Sequence, residues 1–242
     1  ATGPDGWTMT TCTIDLRAAA IHDLDIDDPP DSPTVDYGWA FTIANPPPPP
    51  DHILINEVDA DTPGNDTAEF IELYDGGIGH TDLTGLFIVL WNGQNDALLR
   101  SIALDGHQTD ADGYFVLGNA GLPADLTIAK GTLQNGPDAI GLYAGPLANE
   151  DAGAPVTTEG LIDAIVYGPG DETDVGLLPL LASGQQQRDE GERGAAENHS
   201  LQRCPNGAGN PRETVAYEAS LPSPGATNPC LVADNPPVVV ST

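Results

Sequence analysis

Basic residues are nearly missing from this 242-residue chain. It has 7 Lys and Arg, with Lys130 the sole lysine, against 37 Asp and Glu, for a formal charge of −30. Affinity for phosphate backbones comes largely from Lys and Arg displacing counterions, so this balance argues against a nucleic-acid partner. Anionic membrane surfaces are repelled for the same reason. At low salt such a charge strains the compact state by self-repulsion, which suits salty or divalent-rich surroundings. An apolar run of 18 residues is also lacking, so no membrane insertion is expected. No charged-then-apolar leader opens the chain, and the expectation is a soluble mature product or an excised fragment.

Helical periodicity is scarce too. Almost no stretch keeps apolar residues at i, i+3, i+4 and i+7 without one of the 28 Gly or 23 Pro interrupting it. Catalytic signatures are equally thin. The five histidines, His22, His52, His80, His107 and His199, sit in unrelated segments, with no HExxH, CxxC or GxSxG. Ser183 lacks the strand–turn–helix setting of a nucleophile elbow, and Lys130 follows no Gly-rich run that could form a phosphate loop. Paired carboxylates are abundant, but chance pairing is expected among 37 acids. The chain is therefore not expected to be an enzyme. Three cysteines are present; Cys204 and Cys230 flank one segment and are expected to pair, which implies an oxidising compartment outside the cytoplasm. Cys12 is left over.

What the chain does contain is strand after strand. Ile53–Val58 and Glu69–Tyr74 are short β-prone runs joined by an acidic turn-rich loop. Leu86–Trp91 is apolar on both faces and reads as a central strand. Leu98–Leu104, Gly113–Gly118, Ala139–Tyr143 and Gly160–Tyr167 continue the rhythm, and Ser200–Cys204 adds a late strand. Short strands between Gly turns argue an all-β sandwich. Residues 168–197 read as a long polar excursion, with Gly176–Leu181 offering one helical turn. Upstream, Trp7–Ala20 alternates enough for one or two strands, and Tyr37–Ile43 is a clean alternating strand. Pro46–Pro50 forms a polyproline spacer about 15 Å long at ~3.1 Å per residue. The division is then 1–45, a linker over 46–51, a sandwich over 52–231, and an extended β-prone strand over 232–242.

Three acidic clusters have the oxygen chemistry of Ca2+, which takes six to eight hard ligands from flexible loops. They are Asp59, Asp61 and Asp66 with Glu69 and Glu57 nearby; Asp110 and Asp112; and Asp23, Asp25 and Asp27 with Asp28 and Asp31. Each also reads as a plain solvated turn, and none has EF-hand spacing.

Asn56-Glu57, then Glu69-Phe70-Ile71-Glu72-Leu73, then Leu83-Thr84-Gly85-Leu86 ahead of an apolar strand resembles the opening of a lamin-tail domain. Ser200-Leu201-Gln202-Arg203 and Ser223-Pro224-Gly225-Ala226-Thr227-Asn228 resemble the close of its bacterial secreted form. The resemblance covers roughly 51–230 and implies an immunoglobulin-like β-sandwich. The acidic turn before Tyr37-Gly38-Trp39-Ala40-Phe41-Thr42 resembles the last strands of a bacterial Ig-like domain, and the tail through Val238, Val239 and Val240 resembles the first strand of another. Two readings of function follow. The first is a non-enzymatic extracellular or cell-surface structural protein, a self-assembling fibre or surface subunit. Its Val238–Val240 strand would insert beside Tyr37, Trp39 and Phe41 of a neighbour in a head-to-tail homopolymer. The alternative, implied by where such domains occur, is an accessory module that anchors or orients a secreted nuclease or phosphatase whose catalytic domain lies elsewhere. In that case its partners are flanking domains of a longer protein.

Overall fold

The computed structural model describes residues 9–17, 35–44, 53–145, 147, 149–168, 170, 173–194 and 196–230. The chain divides into two compact units, Ala1–Pro48 and Pro49–Thr242, separated within the proline run. Among the described residues no helix is long and apolar enough to cross a membrane.

The first unit contains a two-stranded antiparallel ribbon, β1 (Met9–Leu16) against β2 (Tyr37–Ala44). Ile14 lies opposite Trp39, and Leu16 opposite Tyr37. Directly opposed residues share a face, as do residues two apart along a strand, so Ile14, Tyr37 and Trp39 lie on one side. The acidic turn with Asp23, Asp25 and Asp27, the proline spacer, and the tail with Val238, Val239 and Val240 lie outside the described residues.

The second unit is an all-β sandwich. Its strands are β3 (Leu54–Asp59), β4 (Phe70–Tyr74), β5 (Leu86–Asn92), β6 (Ala97–Ala103), β7 (Tyr114–Asn119), β8 (Leu126–Ile128), β9 (Asp138–Ala144), β10 (Leu161–Tyr167), β11 (Ser200–Arg203) and β12 (Tyr217–Ser220). One sheet has the order β10-β9-β5-β6, the other β12-β11-β3-β4-β7-β8. All pairings are antiparallel except β7 with β8. Alternation decides which side chains face inward. Ile55, Val58, Ile71, Leu73, Phe115 and Leu117 of the six-stranded sheet form one core with Ile88, Leu90, Ile140, Leu142 and Ile165 of the four-stranded sheet.

Each sheet is also covered on its outer face. Val89, Trp91, Ala139, Ala164 and Val166 project away from the central core and meet Leu147, Ala154, Leu177, Leu180 and Leu181. This second core explains why β5 is apolar on both faces: it lies between β9 and β6 and is buried front and back. The segment read as a polar excursion therefore packs down. A 3-10 turn at Leu178–Leu180 supplies its apolar contacts, and Arg188 exchanges backbone hydrogen bonds with Val166 and Gly168. On the opposite side, Gly207, Ser223 and Gly225 meet Asn56, Glu57 and Glu72 of the six-stranded sheet, and the segment that carries them is closed into a loop by the disulfide Cys204–Cys230, with Cα atoms 5.3 Å apart.

Candidate functional site

Chemistry-bearing groups concentrate at three places: the ribbon, the outer face of the six-stranded sheet, and the loop end where β3 leads into β4.

On the ribbon, Ile14, Tyr37 and Trp39 are 52%, 54% and 52% exposed. Three large apolar side chains on one face of two strands form a surface that costs free energy to leave in water. Phe41 lies on the same strand, opposite Cys12.

On the outer sheet face, Glu57 and Glu72 are fully buried carboxylates. They fit there because the 204–230 segment and their strand neighbours bring donors to them. Glu57 accepts from the Ser200 hydroxyl, Gln202 Nε2 at 3.2 Å, Ser223 N at 2.8 Å and Ser223 Oγ at 2.9 Å. Glu72 accepts from Asn56 Nδ2 at 2.7 Å and Gly225 N at 2.6 Å. Burial raises both carboxyls above the usual range, Glu72 to about 8, although the hydrogen bonds oppose the shift. Asn56 in turn accepts Gly207 N at 2.8 Å, and Asn228 donates to Arg203 O at 2.8 Å. The Ser223–Asn228 turn is thus a clasp for buried acids.

The loop end gathers the first acidic cluster, though not around one point. Asp66, in the left-handed region at φ 45°, accepts Thr62 N at 3.0 Å and shapes the turn. Asp61 and Asp66 share the Asn135 amide, at 3.1 and 3.4 Å. Glu69 turns to Asn119 Nδ2 at 3.2 Å and Thr132 N at 3.3 Å. Glu190, remote in sequence, enters the same end and accepts Ala60 N at 2.9 Å and Asp61 N at 3.2 Å. Glu69 Oε1 is buried without a hydrogen-bond partner, and so is Asp59 Oδ1; Asp59 is 4% exposed and has no ion pair among the described residues. Burial, reinforced by Glu190, Glu57, Asp61 and Glu69, pushes its carboxyl up to about 9. Glu190 is pushed up to about 8, mainly by burial.

Asp59 also lines an open groove of about 370 Å³ with Thr62, Pro63, Phe70, Leu122, Glu197 and Pro224. Nothing in the spacing of the sequence could have placed Glu190 or Glu197 here, because the long segment that carries them returns from the far sheet.

The second cluster is absorbed by its turn. Asp110 Oδ1 accepts Asp112 N at 2.9 Å and Tyr114 N at 2.8 Å, leaving Asp112 exposed. Beside it, buried Asp75 takes five donors, from Gly77, Ile78, Gly79, Thr81 and Thr109. Gly113, at φ 94°, is required there, since a Cβ would approach Asp75 Oδ1 to 2.1 Å. Among the described residues, no three His, Cys, Asp or Glu side chains converge in a way that could hold a metal ion. No protein-family model, curated protein or solved structure matches the chain.

Proposed function

We propose that this is a non-enzymatic, extracellular structural or interaction protein, in which a lamin-tail-like, Ig-like sandwich forms the rigid body. Its ribbon is the docking edge for a strand from a second copy. The observation that carries this reading is the pair β1–β2 itself. A two-stranded ribbon is marginal alone in water and gains stability from a third strand or a covering layer. Here it presents Ile14, Tyr37 and Trp39 half-exposed on one face. A β-prone segment such as Val238–Val240 has the composition to add to that ribbon, with backbone hydrogen bonds giving affinity and alternate side chains giving register. Insertion from one copy into the next is a heterologous contact, which propagates into a fibre unless the rotation closes. The disulfide supports a location in an oxidising compartment. Ca2+ binding by one of the acidic clusters, among them Asp23, Asp25 and Asp27, belongs to this reading.

The test uses the full chain in high salt, with and without CaCl2, followed by electron microscopy and light scattering. Fibres or discrete oligomers are expected, and deletion of residues 236–242 should abolish them while the circular dichroism of the sandwich is retained. A chain that stays monomeric in every condition overturns the reading.

A further inference from the structure

The groove at Asp59 combines two properties that rarely occur together. Its walls are largely apolar, formed by Pro63, Phe70, Leu122, Pro222 and Pro224, while its polar residues are Asp59, Thr62 and, at the exposed rim, Glu197 and Asn198. A buried polar atom without a partner costs on the order of 1–3 kcal/mol, so native proteins nearly always satisfy such atoms. Asp61, Asp66, Glu69 and Glu190 each accept a hydrogen bond, although Glu69 Oε1 is unpartnered too; Asp59 Oδ1 has no partner, and the Asp59 residue belongs to the lining of a space of about 370 Å³. That volume is at the small end for a ligand site and suits a single side chain better than a drug-sized molecule.

We propose that this groove receives an arginine side chain of a partner polypeptide, with the guanidinium on the Asp59 carboxylate and the stem against the proline walls. A guanidinium is the cation that fits this mixture. Its planar fork pairs with a carboxylate through two parallel hydrogen bonds, its faces lie against flat apolar surfaces, and it sheds water more readily than an ammonium. Its remaining N–H groups reach toward the rim acceptors Glu197 and Asn198. A divalent cation fits less well, because no three carboxylates converge here among the described residues. The inference concerns the sandwich and does not rest on strand exchange at the ribbon.

Binding is coupled to proton release. Asp59 faces Glu57 on its own strand, Asp61 in the following loop, Glu69 before β4 and Glu190 at the start of a second 3-10 turn, Glu190–Arg193, and together with burial these hold its proton. An incoming guanidinium replaces that proton: the neutral acid loses H+ to solvent and the carboxylate pairs with the cation. Below the value of about 9, affinity should therefore rise about tenfold for each unit by which pH increases.

Titration of the 15N-labelled full chain with Nα-acetyl-arginine methylamide tests this. Saturable shifts are expected at the amides of Ala60, Thr62, Ala68 and Leu122, strengthening about tenfold between pH 6 and pH 7. They should be absent with the neutral isostere acetyl-citrulline methylamide and lost in Asp59→Asn, a variant that keeps the shape of the site. Equal shifts from the citrulline compound, arginine binding unchanged by Asp59→Asn, or a flat pH profile would each overturn the proposal. So would CaCl2 saturating the same amides at lower concentration than arginine, which would make the groove a metal site.

Discussion

Asp163 and Arg203 show what single residues contribute in a chain so short of cations. Both are fully buried, and their ion pair has N–O distances of 3.0 and 3.1 Å. Asp163 stands on β10, in the four-stranded sheet, yet accepts Ile55 N of β3 at 2.9 Å and also the Arg212 and Ala164 amides. Arg203 on β11 donates to Ile55 O at 2.8 Å, to Ala208 O and Asn210 O, and lies 4.8 Å from the Tyr217 ring centre. The register shift in β3 between Ile55 and Glu57 coincides with this knot, because both peptide groups of Ile55 are taken by side chains from other strands. Replacing Arg203 by Ala strands a buried carboxylate, so a loss of ~3–5 kcal/mol is expected in urea unfolding. Arg203→Met with Asp163→Leu should recover much of that loss, since a buried pair is often no better than an apolar one of similar volume. Ser200–Cys204 reads as a late strand in the sequence, which places Arg203 but not its partner. Forty residues separate the two, and nothing in Leu161–Tyr167 distinguishes Asp163 from an ordinary outward-facing acid.

At the level of elements, periodicity and turn chemistry made most of the sandwich legible. Leu54–Asp59, Phe70–Tyr74, Leu86–Asn92 and Asp138–Ala144 fall where short β-branched and aromatic runs end at Gly, Asn or Asp. Two strands carried no such signal. Leu126–Ile128 is three residues long and pairs in parallel, and Tyr217–Ser220 is a polar edge strand that exists because β11 templates it. The covering segments were harder still, since a polar-looking loop reveals its few buried leucines only when a sheet face needs them. The 204–230 loop rests on its disulfide. Closing 26 residues removes unfolded-chain entropy worth roughly 3.5 kcal/mol in the chain-entropy account. The double variant Cys204→Ser/Cys230→Ser should lose about that much in guanidinium unfolding, and reduction of the native protein should move its midpoint to the same place. Removing the link also loosens the Ser223 and Gly225 amides from Glu57 and Glu72, so the loss should be larger at pH 8 than at pH 5, where those acids keep their protons without help.

For the molecule as a whole, burial and net charge act in the same direction on pH. Glu57, Asp59, Glu69, Glu72, Asp138 and Glu190 all have raised carboxyls, burial being the leading cause in each. A carboxyl that holds its proton more tightly when folded gives stability that is complete below the unfolded value of about 4. That stability is lost as pH rises through the folded values, here up to about 8 to 9. Each such group changes stability by ~1.4 kcal/mol per pH unit across its window, which in a domain of this size is roughly 3–6 °C in Tm. Tm should therefore fall steadily from pH 5 to pH 9, and repulsion within a chain of formal charge −30 adds to the fall. Two measurements separate the causes. Salt at ~1 M shortens the Debye length to ~3 Å and removes the surface part, so Tm at pH 9 should rise while a slope remains. Asp59→Asn replaces a protonated acid by its neutral isostere, so it should leave Tm at pH 5 nearly unchanged and raise it at pH 9. If salt alone abolished the slope and Asp59→Asn left it intact, surface repulsion would account for the whole effect, and the buried acids would have to ionise at ordinary values.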